Sequence, residues 1–194
     1  MQNDKKQRCE WVNNDPLYID YHDNEWGKPQ HDSQKLFEKI CLEGQQAGLS
    51  WITILKKREE YRRCFYHFDP QKIAQITEQE VEQLLQNKGL VRNRLKINAI
   101  IKNAKAYLAM QKDGIDFSDF IWSFVEHKTI TNHFNNMSEV PTSTEVSNQM
   151  SKALKKKGFT FVGSTICYAF MQSMGLVDDH FLHCFCKQNS KETR

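Results

Sequence analysis

Apolar residues recur at helical spacing along almost the whole chain, and no stretch alternates as a run of strands would. Leu95, Ile97, Ile100, Ile101, Ala104 and Leu108 mark a helix from about Arg92 to Lys112. Start and stop signals divide the rest. Asp32 or Ser33 can cap a helix through LFEKICLEG, and Ser50 can cap WITILKKREEYRRCF. Asp69-Pro70 pairs a cap with a proline suited to the first helical position. Thr77 and Glu80 form a capping box for EVEQLLQNKG, which Gly89 can stop. Phe117 to Val125 reads as a short aromatic helix, 128–144 as an irregular loop, and Glu145–Lys157 and Ser164–Met174 as two further helices.

The last two helices are joined by KKGFTFVGST, a hairpin bounded by glycines. Gly158 can take the left-handed conformation that ends the first helix. Phe159, Phe161 and Val162 can pin the turn, and Gly163 permits close approach of the backbone. Ser164 and Thr165 then open the second helix, whose unpaired N–H groups and dipole favour an anion. An ordinary helical hairpin with a solvated lysine run is the plainer alternative; phosphate gripping without base readout is the functional one.

At 194 residues, 39% hydrophobic and 26% charged, the chain fits one soluble globular unit. No apolar run reaches membrane length, and the N-terminus has no secretory pattern, so a cytoplasmic location without a membrane partner is expected. A net charge of +3 says little by itself. Lys152, Lys155, Lys156 and Lys157 cluster, as do Lys56, Lys57, Arg58, Arg62 and Arg63, and Arg92, Arg94 and Lys96; most such clusters are solvated helix faces. Nothing in the pattern demands more than a monomer.

Two constellations carry chemistry. Trp11, Tyr18, Tyr21, Trp26 and Trp51 surround, in sequence, a single apolar-flanked carboxylate, Glu43. Flat faces attract cations and stack on bases, although an aromatic core with a surface glutamate would look similar. Cys9 and His22 lie near one end of the chain, His180 and Cys184 near the other. Two thiolates and two imidazoles complete a closed zinc shell, which predicts a structural ion stapling the termini. Spacing of four would put His180 and Cys184 on one helix face. His183 and Cys186 compete as ligands; a one-residue gap points Cys186 away from Cys184 in helix or strand.

The blocks CEWVNNDPLYIDYHDNEWGKP, LFEKICLEGQQAGLSWITILKKREEYR, WSFV, PTSTEVS, LKKKGFTFVGSTICYAFMQ and GLVDDH together resemble the Tag family, 3-methyladenine DNA glycosylase I, over about residues 9–186. The resemblance implies an all-α fold of the helix-hairpin-helix glycosylase superfamily. It implies one glycosylase domain of two helical lobes over 9–186, with a flexible extension at 1–8 and a disordered tail at 187–194. The implied activity is hydrolysis of the N-glycosidic bond of 3-methyladenine in double-stranded alkylated DNA, releasing that base and leaving an abasic site. Cys9, His22, His180 and Cys184 would hold one structural Zn2+. Glu43 would be the pocket carboxylate, with Tyr21, Trp51, Trp11, Tyr18 and Trp26 around the base. Gly163, Ser164 and Thr165 would meet the DNA backbone. A methylated base is cationic and already a good leaving group, so Glu43 is expected to select charge rather than supply acid. Asp178 and Asp179 are expected to orient His180, and no lysine suggests a Schiff base.

Overall fold

The structure, a computed structural model, describes residues 6–187. Residues 1–5 and 188–194, most of the expected extension and tail, lie outside the described residues. Among the described residues the chain forms α1 (Pro16–Asn24), α2 (Ser33–Gln45), α3 (Trp51–Cys64), α4 (Pro70–Ile73), α5 (Glu78–Gln86), α6 (Arg94–Lys112), α7 (Phe117–Ser123), α8 (Glu145–Lys156) and α9 (Ser164–Ser173). No described helix is long and apolar enough to cross a membrane.

The caps explain most boundaries. Side chains of Asp32, Asp69, Asn93, Asp116 and Thr144 each accept an N–H at a helix start, and Thr77 with Glu80 forms a full capping box. α5 stops at Gln86, earlier than Gly89, with Asn87 as its C-cap. α1 has no counterpart among the sequence expectations, yet it begins with Asp15-Pro16, the same signal that starts α4. The expected loop at 128–144 contains a two-residue strand, β1 (Ile130–Thr131), parallel to β2 (Val177–Asp178), with Ile130 opposite Val177.

α2 is the centre of the molecule, packed against α3, α6, α7 and α9. Leu36, Phe37, Ile40 and Leu42 are fully buried, and, unusually, its polar neighbours Lys39, Glu43 and Gln45 are buried too. Past its exposed first turn, the helix is enclosed from Lys39 to Gln45 and held by its surroundings; each large apolar side chain contributes about 1.5–3 kcal/mol. α8, the hairpin and α9 pack as one unit. Gly158 has φ +98°, the left-handed conformation expected of it. Asn103 on α6 accepts from the Thr160 N–H at 2.8 Å and donates to its carbonyl at 3.2 Å, while Ser151 donates to the Val162 carbonyl at 2.6 Å. The hairpin rests directly on α2, because a Cβ at Gly44 would meet the Phe161 carbonyl oxygen at 3.0 Å.

Candidate base pocket and metal cluster

α1 supplies both sites. Tyr18 and Tyr21 lie three apart and both line one cavity, whereas His22 joins the second site. The cavity measures about 170 Å³ and is walled by Trp11, Tyr18, Tyr21, Trp26, Glu43 and Trp51. All six residues picked from the sequence therefore converge. A cavity of roughly 150 Å³ holds a benzene-sized ring. Trp11 packs against Tyr18 and Trp26, each with centroids 5.0 Å apart, and Tyr21 lies 5.6 Å from Trp51.

Glu43 is 3% exposed, and its Oε1 lies 3.0 Å from Lys39 Nζ, one turn earlier on α2. Lys39 also donates to the Tyr21 hydroxyl at 2.8 Å and sits 3.3 Å from the Trp51 ring centre. Sequence reasoning missed this ammonium, although Lys-x-x-x-Glu is the spacing of a helical ion pair. Burial pushes the Lys39 pKa down to about 8, against the opposing pull of Glu43. Burial also pushes the Tyr21 phenol well above its ordinary range, so it stays neutral. Two buried polar atoms here have no protein partner: Glu43 Oε2, an acceptor, and Trp51 Nε1, a donor. Buried polar atoms are normally satisfied, so a ligand or water belongs there.

Gln46, the C-cap of α2, and the distant Met137, Val140, Gln172, Asp179 and Phe181 complete the lining. Asp179, expected to support His180, instead faces the cavity. Its Oδ1 accepts from Asn132 at 2.7 Å and its Oδ2 from Tyr168 at 2.5 Å and Gln172 at 2.9 Å. Asp178 does meet the expectation: its Oδ1 lies 3.0 Å from His180 Nδ1.

The second site joins the two ends of the chain. Donor atoms of His22, His180, Cys184 and Cys186 all lie within 4.8 Å of one another. His22 Nε2 is 3.4 Å from Cys184 Sγ. Cys9 is buried and its thiol is coupled to that of Cys184. Sharing one proton between the two thiols pushes Cys9 up and Cys184 down, and burial raises Cys186 to about 12. The argument against Cys186 does not survive, because 182–186 is a succession of turns rather than a helix or strand. For the same reason His180 and Cys184 meet without sharing a helix face. Both imidazoles are oriented from outside: His22 Nδ1 is 2.8 Å from Asp23, which Arg8 grips, and His180 Nδ1 is held by Asp178. His180 Nε2 is buried without a partner. Tetrahedral zinc needs its donors roughly 3.3–3.8 Å apart, by the Zn–N and Zn–S lengths. The set of His22, His180, Cys184 and Cys186, with an orphaned nitrogen, has the donor chemistry for such an ion and would have to draw in from a spread of up to 4.8 Å; Cys9 is not among these four, although it lies beside Cys184.

The basic clusters separate by their partners. Lys56, Arg58, Arg62, Arg63 and Arg94 are each tied to carboxylates. Among the described ion pairs none involves the exposed Lys152, Lys155 or Lys156 of α8, beside the hairpin. Gly163 caps α9 with no side-chain bond to the helix start, and a Cβ there would meet nothing. Any close approach to Gly163 must therefore come from outside the protein.

This frame is that of helical DNA glycosylases in solved structures. It matches a crystal structure of 3-methyladenine DNA glycosylase I with TM-score 0.92 and 62% identity, covering 93% of this chain and 99% of that one. It matches the enzyme from Staphylococcus aureus, solved for 3-methyladenine recognition, with TM-score 0.90 and 40% identity over 93% and 96% of the two chains. The chain belongs to the methyladenine glycosylase family, whose model covers residues 11–187. The DNA-3-methyladenine glycosylase of Haemophilus influenzae is 67% identical over 180 residues, 93% of this chain and 97% of the relative. DNA-3-methyladenine glycosylase 1 of Escherichia coli K12 is 60% identical over 185 residues, 95% and 99% of the two.

Proposed function

We propose that this protein is a DNA-3-methyladenine glycosylase that takes the flipped base from double-stranded alkylated DNA into the Glu43 pocket. The observation that carries this reading is the pair of buried, unpartnered atoms, Glu43 Oε2 and Trp51 Nε1, in an aromatic cavity of ring size. An extruded purine offers ring faces to Trp11, Tyr21 and Trp51 and an N–H edge to the carboxylate. Normal adenine lacks the positive charge and the 3-methyl group of the damaged ring, and its glycosidic bond is far less labile, which supports selectivity.

The bond that breaks joins the base to sugar C1′. Its electron pair leaves with the ring, which loses its positive charge, and water adds to C1′ with loss of a proton to solvent. The ring needs no strong acid. Asp179 has both oxygens engaged, so it serves as a fixed wall of the pocket. The Lys39 nitrogen is occupied by Glu43, Tyr21 and the Trp51 face. An amine so engaged is not free to attack C1′, so the reading is hydrolysis without strand cleavage. DNA backbone is gripped at Gly163, Ser164 and Thr165, with the α8 lysines beside it.

Cys9, His22, His180 and Cys184 would hold a structural zinc that fixes the two chain ends. Cys186 is the rival for the fourth place, and zinc content of Cys9→Ala against Cys186→Ala separates them. The test of the activity is release of free 3-methyladenine from methylated DNA. Wild type should release it, and Glu43→Gln should slow release by about 100-fold or more, as loss of a charged buried partner would. No release by wild type rejects the enzyme; equal rates remove Glu43 from its role.

A further inference from the structure

Lys39 occupies a costly position for a lysine. It is 6% exposed, on the central helix, between three residues of the base pocket. Its Nζ contacts Glu43 Oε1 at 3.0 Å and the Tyr21 hydroxyl at 2.8 Å, and it stands 3.3 Å from the centre of the Trp51 ring. Burial opposes the charged form of an amine, and only its contacts with Glu43, Tyr21 and the Trp51 face offset that cost, so the lysine and the carboxylate are held as a pair.

The consequence is electrostatic. Glu43 is not an isolated anion awaiting a cation, because an ammonium group already neutralises it. A methylated nucleotide therefore brings a second positive charge towards Lys39. When the glycosidic bond breaks, the ring takes the electron pair and becomes uncharged, while positive charge moves to the sugar. The repulsion present with substrate is absent with the freed base. Like charges held a few ångströms apart in a water-poor site interact strongly.

We propose that Lys39 is a positioning residue that also sets the charge balance of the pocket, holding Glu43 and Tyr21 in place while disfavouring the cationic ring relative to the uncharged leaving base. The inference rests on the base-release reading above and refines it: part of the affinity that Glu43 could offer the substrate cation is withheld, and returned as the bond breaks.

The test is Lys39→Met in the full chain, with single-turnover release of 3-methyladenine measured against enzyme concentration and undamaged DNA as the binding control. The half-saturating concentration should fall about tenfold and the maximal rate should fall by a similar factor. Inhibition by free 3-methyladenine, an uncharged ring, should change less than threefold. A merely structural role would weaken binding and rate together, and that outcome, like no change in either, overturns the proposal. Wild type supplies the same test without a substitution. The groups facing Lys39 are Glu43 on its own helix, Tyr21 and Glu25 at α1, and Arg58 on α3. Lys39 has its pKa lowered to about 8. Raising pH from about 7 to 9.5 should therefore remove its charge and lower both quantities together, with the undamaged-DNA control unchanged. If wild type releases no base at all, the glycosylase reading falls first; normal wild-type release with a parallel loss in Lys39→Met rejects only the role of Lys39.

Discussion

The base pocket and the His/Cys cluster are built from the same wall but solve opposite problems. Trp26 lines the pocket and also packs 4.7 Å from His180, and Trp11 lies 5.2 Å from His22. Both sites bury polar atoms that lack protein partners. In the cluster the imidazoles are braced from behind by Asp23 and Asp178, so their free nitrogens converge on one point. In the pocket, Glu43 has one oxygen anchored by Lys39 and one left open. A convergent, fully braced set suits an occupant that stays. A half-satisfied carboxylate beside stacked aromatics suits one that arrives and leaves.

That contrast can be broken most forcefully at Cys184. Cys184→Ala should remove zinc and lower stability by on the order of 3 kcal/mol, about 10 °C in a chain of this size. Because Trp26 leans on His180, base release should fall with it. Retained zinc, read by metal analysis, would mean that the cluster does not depend on this sulfur.

A subtler probe is Gly27, at φ +79°, where an added Cβ would lie 2.5 Å from His180 Cε1. Left-handed backbone alone costs an alanine roughly 1–2 kcal/mol. Gly27→Ala should in addition displace His180 and weaken zinc retention against a chelator severalfold. Unchanged zinc affinity with lowered melting temperature would show that the imidazole has room to yield, and that the two sites are less tightly coupled than the shared wall implies.

The smallest effect on the fold is expected at Gly163, where a side chain meets no protein atom. Gly163→Asp should alter stability by no more than about 0.5 kcal/mol. It should nevertheless weaken binding to damaged and undamaged DNA alike, by about tenfold, since it sets a carboxylate where a phosphate would sit. Undiminished DNA affinity in a filter or anisotropy assay would move the backbone contact away from the hairpin.

Much of this was legible in the chain, and what was not has physical causes. Helices with a polar cap and a one-sided apolar stripe, such as those begun by Asp32, Thr77 and Thr144, were readable because cap and period agree. α1 went unread because its apolar pattern is weak, even though Asp15-Pro16 marks its start. The aromatic residues and Glu43 could be picked out by type, because few other roles suit such a group. Met137 and Val140 reach the pocket from a single 3-10 turn and Phe181 from a loop, where no period announces a direction. Lys39 was invisible for another reason: lysines on helices are nearly always solvated, and only the buried surroundings of α2 reverse that expectation. Cys186 comes near Cys184 because 182–186 is a turn, where helix and strand geometry give no direction.

The short ladder between β1 and β2 has a consequence for how such a protein can diversify. It fastens one end of 128–144 to the chain just before Asp179, and the segment then carries Met137 and Val140 to the rim of the cavity. Asn132 holds Asp179 and the Phe134 carbonyl accepts the Leu182 N–H at 2.9 Å, so the frame makes few demands only on 135–139. Insertions or deletions there would reshape the entrance while leaving α2, the hairpin and the terminal cluster intact. The rim is thus the part of the molecule on which a lineage could experiment with the size of the lesion it admits, without renegotiating the architecture that recognises it.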